Sequence, residues 1–98
     1  MDEMDKKAVA VVRYWIGKNL GPGLPDYKEF IVWKAKILQN WKYLISTDIP
    51  DGRYYELTYN GLYHEWYLDV YRKEKNQKFM DDTVRAEIMR KVENDLSK

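Results

Sequence analysis

Cysteine is absent from this 98-residue chain, which excludes disulfide staples and thiolate metal sites. Histidine occurs once, at His64, so no His-rich metal cluster can form. No serine elbow or other nucleophile signature accompanies it. Apolar runs are short, and none approaches the ~20 residues that a membrane span needs. The opening Met1-Asp2-Glu3-Met4-Asp5 is acidic where a secretory leader is basic, so the expectation is a cytoplasmic protein with no membrane partner. Neither sign of charge dominates. Seventeen Lys and Arg face sixteen Asp and Glu, for a net charge of +1. That balance excludes a carboxylate-rich DNA mimic and argues against non-specific duplex binding, whose affinity comes from many phosphate contacts.

What remains is packing within a single domain spanning residues 1–98. A chain of this size buries somewhat over ~60% of its unfolded surface. The conspicuous surplus is aromatic: nine Tyr, four Trp and two Phe exceed what so small a core holds. Tyrosine wants its hydroxyl wet or paired, so some rings are expected at the surface. Charge is also segregated along the chain. Lys34, Lys36 and Lys42 form one basic stretch and Arg72, Lys73, Lys75 and Lys78 another, with Asp48, Asp51, Glu56, Glu65 and Asp69 between them. The commonest cause of such segregation is a pair of solvated faces.

Helical spacing of Met4, Ala8, Val11, Val12, Trp15 and Ile16 predicts a helix over Asp2–Asn19. It is ended by Leu20-Gly21-Pro22-Gly23. The Gly-Pro-Gly lacks the spacing, the Lys and the preceding strand of a phosphate loop, and reads as a terminator. Ile31, Trp33, Ala35 and Ile37 alternate with Val32, Lys34 and Lys36, the pattern of a strand with one buried face. Gln39-Asn40 is the expected turn into a second strand, Trp41–Thr47, and Ile49-Pro50-Asp51-Gly52 the turn after it.

Tyr54–Tyr59 and His64–Lys73 form the clearest hairpin. Its core face is expected to be Tyr55, Leu57 and Tyr59 on one strand and Trp66, Leu68 and Val70 on the other, which requires a loop with an even number of residues. A two-residue Asn60-Gly61 loop would set Glu56 opposite Glu65. A four-residue loop, Asn60–Tyr63, pairs Leu57 with Trp66 and Tyr55 with Leu68, and is preferred. Asp81–Leu96 is a second helix with an apolar stripe of Val84, Ile88, Val92 and Leu96. The expected fold is α+β: an antiparallel four-stranded curled sheet in the order α-β-β-β-β-α, both helices on one face, with Trp33, Leu57, Trp66 and Leu68 buried beneath them.

No catalytic constellation is visible, and no cofactor or metal site is expected. The carboxylates Glu56, Glu65 and Asp69 share the polar hairpin face and read as solvated sheet positions. Tyr54, Tyr67 and Tyr71 form a stripe there, ending at Arg72 and Lys73, while Leu62 and Tyr63 make the hairpin tip apolar. Rings among cations hold single-stranded nucleic acid by stacking and phosphate neutralisation. They are equally a protein-interface composition, or a stacking platform for a nucleotide. Packing against cross-strand neighbours accounts for them as well. The small net charge favours a protein or nucleotide partner over a long strand. Apolar area left on that face, and sheet edges guarded only by Lys34 and Lys36, predict a homodimer through the face or an edge.

Val32-Trp33, Lys36-Ile37-Leu38-Gln39-Asn40, Asp51-Gly52-Arg53-Tyr54-Tyr55-Glu56, Thr58-Tyr59-Asn60-Gly61 and Tyr67-Leu68-Asp69-Val70-Tyr71 form an ordered set of short motifs. The set resembles an uncharacterised family of short proteins from phages and prophages of Gram-positive bacteria, over about residues 30 to 73. Leu62 and Tyr63 depart from it, standing where the family carries polar residues. The family has no established chemistry. The resemblance implies a small phage accessory product acting in a host cell, either in host takeover or in blocking a defence factor, whether a protein effector or its nucleotide signal. The alternative is a single-stranded nucleic-acid-binding accessory of phage replication.

Overall fold

The computed structural model describes residues 1–96. Helix α1 spans Glu3–Asn19 and is capped by Asp2, whose carboxylate accepts from the Asp5 amide at 2.8 Å. Such a cap pairs one of the amides that the first helical turn leaves free. At the other end the Leu20 amide donates to the Ile16 carbonyl at 2.9 Å, and Gly21 turns the chain away at φ 78°.

Four strands follow: β1 (Glu29–Ile37), β2 (Asn40–Thr47), β3 (Arg53–Asn60) and β4 (Glu65–Arg72). They pair antiparallel in sequence order, as short connections between consecutive strands favour. α1 lies on one face of this sheet, here the inner face. Two cross-strand rows carry that face, Ile45–Tyr55–Val70 and Tyr43–Leu57–Leu68. Ala8, Val12 and Ile16 of α1 meet Tyr43, Ile45, Tyr55 and Leu57, and all seven are buried. Around them Trp15 packs edge-on to Tyr55, with ring centroids 5.6 Å apart, and Trp41 stacks on Tyr43 at 6.0 Å.

The structure corrects four expectations. First, β1 is broken by a bulge between Ile31 and Trp33. Ile31 opposes Ile45 on the inner face, but Trp33 opposes Leu44, and Lys34 rather than Trp33 stands beside Tyr43. An extra residue in one strand swaps the faces of everything after it. Trp33, expected in the core, is therefore 44% exposed on the outer face. The inner side gains Lys34, which reaches Asp5 at 3.0 Å and Asp2 at 3.4 Å across the start of α1. Lys36 stands over the Trp41 ring at 5.4 Å.

Second, the first hairpin turns one residue early. Ile37 pairs with Asn40, so Leu38 and Gln39 form the turn, with Leu38 in the left-handed region at φ 57°. Third, the β3–β4 loop has the four residues expected, but they are Gly61–His64. Leu57 faces Leu68 and Tyr59 faces Trp66. The shift keeps every side chain on its predicted face, yet it sets Glu56 opposite Asp69. Lys42 offsets that like-charge pairing with a 3.0 Å ion pair to Glu56. The loop is locked to its neighbour: Gly61 donates to Asn40 Oδ1 at 3.1 Å, and a Cβ on Gly61 would stand 2.1 Å from the Gln39 carbonyl oxygen.

Fourth, helix α2 (Asp81–Leu96) does not join α1 on the sheet. None of its residues is buried, and it shares no packed interface with α1 or with any strand. The chain extends 57 Å along its long axis, with a radius of gyration of 18.9 Å, against the ~13 Å of a rounded domain of this length. Of the four residues expected in the core, Leu57 is buried, Trp66 and Leu68 are half-buried at its margin, and Trp33 lies outside it.

Candidate functional site

With α1 on the inner face and α2 standing apart, the outer face of the sheet is open. Alternation along each strand, combined with the register, lays out its rows. Phe30, Ser46, Tyr54 and Tyr71 form one. Trp33, Leu44, Glu56 and Asp69 form the next, and Ala35, Lys42, Thr58 and Tyr67 the third. Asn60 and Glu65 complete it at the turn end. The face thus divides into an apolar half on β1 and β2 and a half on β3 and β4 where tyrosines surround carboxylates.

Tyr54, Tyr67 and Tyr71 share the second half. Tyr67 and Tyr71 are each about half exposed, and Tyr54 is half-buried. The Tyr67 hydroxyl donates a very short hydrogen bond to Glu65, which holds that phenol above its ordinary pKa. The Lys42 ammonium is engaged twice, by Glu56 at 3.0 Å and by Thr58 Oγ1 at 2.8 Å. Asp69 stands between Tyr67 and Tyr71, and Glu65 lies beyond Tyr67 at the turn end. The two carboxylates place negative charge beside the rings.

The other residues of the expected site are not gathered there. Arg72 pairs with Arg53 across the hairpin, and alternation sends both to the inner side, where Arg53 lies 5.9 Å from the centre of the Trp15 ring. Lys73 follows the end of β4, its amide donating to the Gly52 carbonyl. Leu62 and Tyr63 are exposed on the turn at the opposite end of β4. From Glu65 to Tyr71, β4 runs six residue steps, roughly 20 Å, and Tyr63 lies on the turn beyond its start. The tip and the basic end are therefore distinct surfaces.

His64 completes the turn at φ 54°, and its Nδ1 shares a 3.0 Å hydrogen bond with the Tyr59 hydroxyl. Asn60 Oδ1 accepts from the Leu62 amide at 3.0 Å. These contacts shape the loop. Among the described residues no group of three or more His, Cys, Asp or Glu is arranged to hold a metal ion, and no helix is long and apolar enough to cross a membrane.

Sequence reasoning missed the apolar half of the outer face. Trp33, Ala35 and Ile37 alternate as a buried strand would, and no glycine or turn residue marks the bulge at Val32 that turns them outward. The one available signal lay in Lys34 and Lys36, which alternate equally well and suit a helix start rich in Asp. Neither the curated proteins nor the solved structures compared with the chain gave a match. A family model does match, over residues 2–81, from the cap of α1 through the whole sheet to the first residue of α2. The chain accordingly belongs to the family of unknown function DUF6275.

Proposed function

We propose that this chain is a non-enzymatic phage accessory protein that blocks a host defence factor by binding it through the β3–β4 half of the outer face. The observation that carries the reading is the trio Tyr54, Tyr67 and Tyr71 interleaved with Glu65 and Asp69 on the sheet, with Tyr67 and Tyr71 open to solvent. Exposed tyrosines supply large contact area at small entropic cost and recur at interface hot spots. Carboxylates among them select a basic protein surface, because Arg and Lys satisfy both the charge and the ring faces. The direction toward phage biology and host defence comes from the motif resemblance over residues 30–73.

The same electrostatics rank the alternatives lower. A nucleotide signal or a single strand brings phosphates, and the rings it would stack on sit among Glu56, Glu65 and Asp69. Lys42, the lysine on the paired outer-face rows of the described strands, is already held by Glu56 and Thr58, and Arg72 lies on the inner side.

Co-purification from host cells with the tagged chain, repeated with Tyr67→Ala/Tyr71→Ala, tests the reading. The expected result is a host protein retained by the native chain and lost by the variant. Titration with single-stranded oligonucleotides and cyclic dinucleotides is the counter-test. Saturable binding of either that the same variant abolishes would overturn the protein reading.

A further inference from the structure

Two apolar surfaces of this chain lack a partner, and each has what the other needs. The first is α2, whose stripe of Val84, Ile88, Val92 and Leu96 is open to solvent, Ile88 by 59%. A stripe repeating every four residues on a helix that buries nothing of its own chain is unspent as a packing surface. The second is the β1–β2 half of the outer face, where Phe30, Trp33 and Ile37 are exposed beside Ala35 and Leu44. The bulge put Trp33, Ala35 and Ile37 there beside Phe30, and β1 is an edge strand with no further strand to shield it among the described residues.

The dimensions agree. Sixteen helical residues span about 24 Å, and the nine residues of β1 about 30 Å. A helix about 10 Å wide covers two strands spaced ~4.8 Å apart. It fills the β1–β2 half and leaves Tyr67 and Tyr71 free. A shallow depression of ≈ 200 Å³, lined by Ala35, Ile37, Asn40, Trp41, Lys42 and Thr58, gives that half a concave place for an apolar side chain.

We infer that the occupant is a second copy of this chain: in a twofold dimer each α2 lies across the β1–β2 half of the other protomer's outer face. Residues 73–80 carry α2 away from its own sheet rather than over it, which gives the molecule its 57 Å length and presents the helix outward. A twofold axis then makes the contact reciprocal, each copy giving a helix and receiving one. Two helices about 24 Å by 10 Å, counted on both the helix and the sheet side, cover on the order of 1,000 Å², close to the threshold a biological interface clears. Pairing α2 with α2 covers about half of that and leaves Trp33 and Ile37 in water. This assembly does not depend on the tyrosine stripe being a binding site.

Sedimentation velocity of the full chain across the micromolar range is the test. Two double variants go with it, Ile88→Glu/Val92→Glu on the helix and Trp33→Glu/Ile37→Lys on the sheet. None of these side chains belongs to the buried core, so far-UV circular dichroism should match the native chain. The expected results are a dimer for the native chain, a monomer for each variant, and partial recovery of dimer on mixing the two, since one helix–sheet contact then stays intact. Tyr67→Ala/Tyr71→Ala should remain dimeric, which separates failure of this assembly from failure of the tyrosine site. A native chain that stays monomeric throughout overturns the inference. So does a dimer that survives the sheet variant, which would mean that helices pair with helices.

Discussion

The Tyr43 hydroxyl donates a 2.8 Å hydrogen bond to Asp5 Oδ1, joining the centre of β2 to the first turn of α1 inside the core. Lys34 reaches the same carboxylate from β1 at 3.0 Å. Burial pushes the Asp5 pKa up, but the hydrogen bonds from Tyr43 and Lys34 and the ammonium charge outweigh it and hold it below its ordinary value of 3.8. Burial, and then the Asp5 carboxylate, push the Tyr43 phenol above its ordinary 10.0.

The signs define a pH window. Asp5 is depressed by folding, so its contribution is complete above the unfolded value and fades as pH falls through the folded one. Tyr43 is raised, so its contribution is complete below pH 10.0 and fades as pH rises past it. Asp5→Ala strands the Tyr43 hydroxyl and should cost ~2–4 kcal/mol at neutral pH. Urea melts of the native chain and the variant between pH 3 and 7 should converge toward the acid end.

Leu57 and Trp33 are a contrasting pair, since the smaller side chain is buried and the larger is not. Leu57→Ala opens a cavity and should cost on the order of 2–5 kcal/mol. Trp33→Ala should cost under ~1 kcal/mol in the monomer, as surface substitutions do. Equilibrium denaturation at a concentration low enough to keep the chain monomeric compares them directly.

Gly61→Ala places a methyl group against the Gln39 backbone. The two turns must then separate, breaking the Gly61–Asn40 hydrogen bond. A loss of ~1–3 kcal/mol is expected, and hydrogen exchange should quicken first in both turns.

Tyr55 carries a buried hydroxyl with no hydrogen-bond partner among the described residues. Tyr55→Phe removes an unpaired polar atom and keeps the ring against Trp15. Stability should therefore hold or rise, since an orphaned buried group costs ~1–3 kcal/mol. A thermal melt reads the sign.

His64 shapes a turn. His64→Ala should lower stability by no more than ~1 kcal/mol, through the lost contact to Tyr59, and leave partner capture in the co-purification assay unchanged. Loss of capture by a normally folded His64→Ala chain would place His64 in the functional surface.

Element types, their order, and the side of each β3 and β4 residue followed from the sequence alone. Period-two alternation, the strong turn residues at Ile49–Gly52 and the Asp-rich start of α1 are local signals that backbone geometry obeys directly. Three things were settled only in the tertiary structure. The bulge at Val32 brings Lys34 to Asp2 and Asp5 on another element, and no local pattern records so distant an ion pair. The hairpin slipped by one residue on each strand, a register in which Gly61 fits against Gln39, a contact between two turns. The detachment of α2 was illegible for the same reason: an apolar stripe shows that a helix has a face to bury, while the surface that buries it is decided by what the rest of the fold leaves open. In this chain α1 takes the inner face, and the outer face of the sheet and α2 are both left exposed.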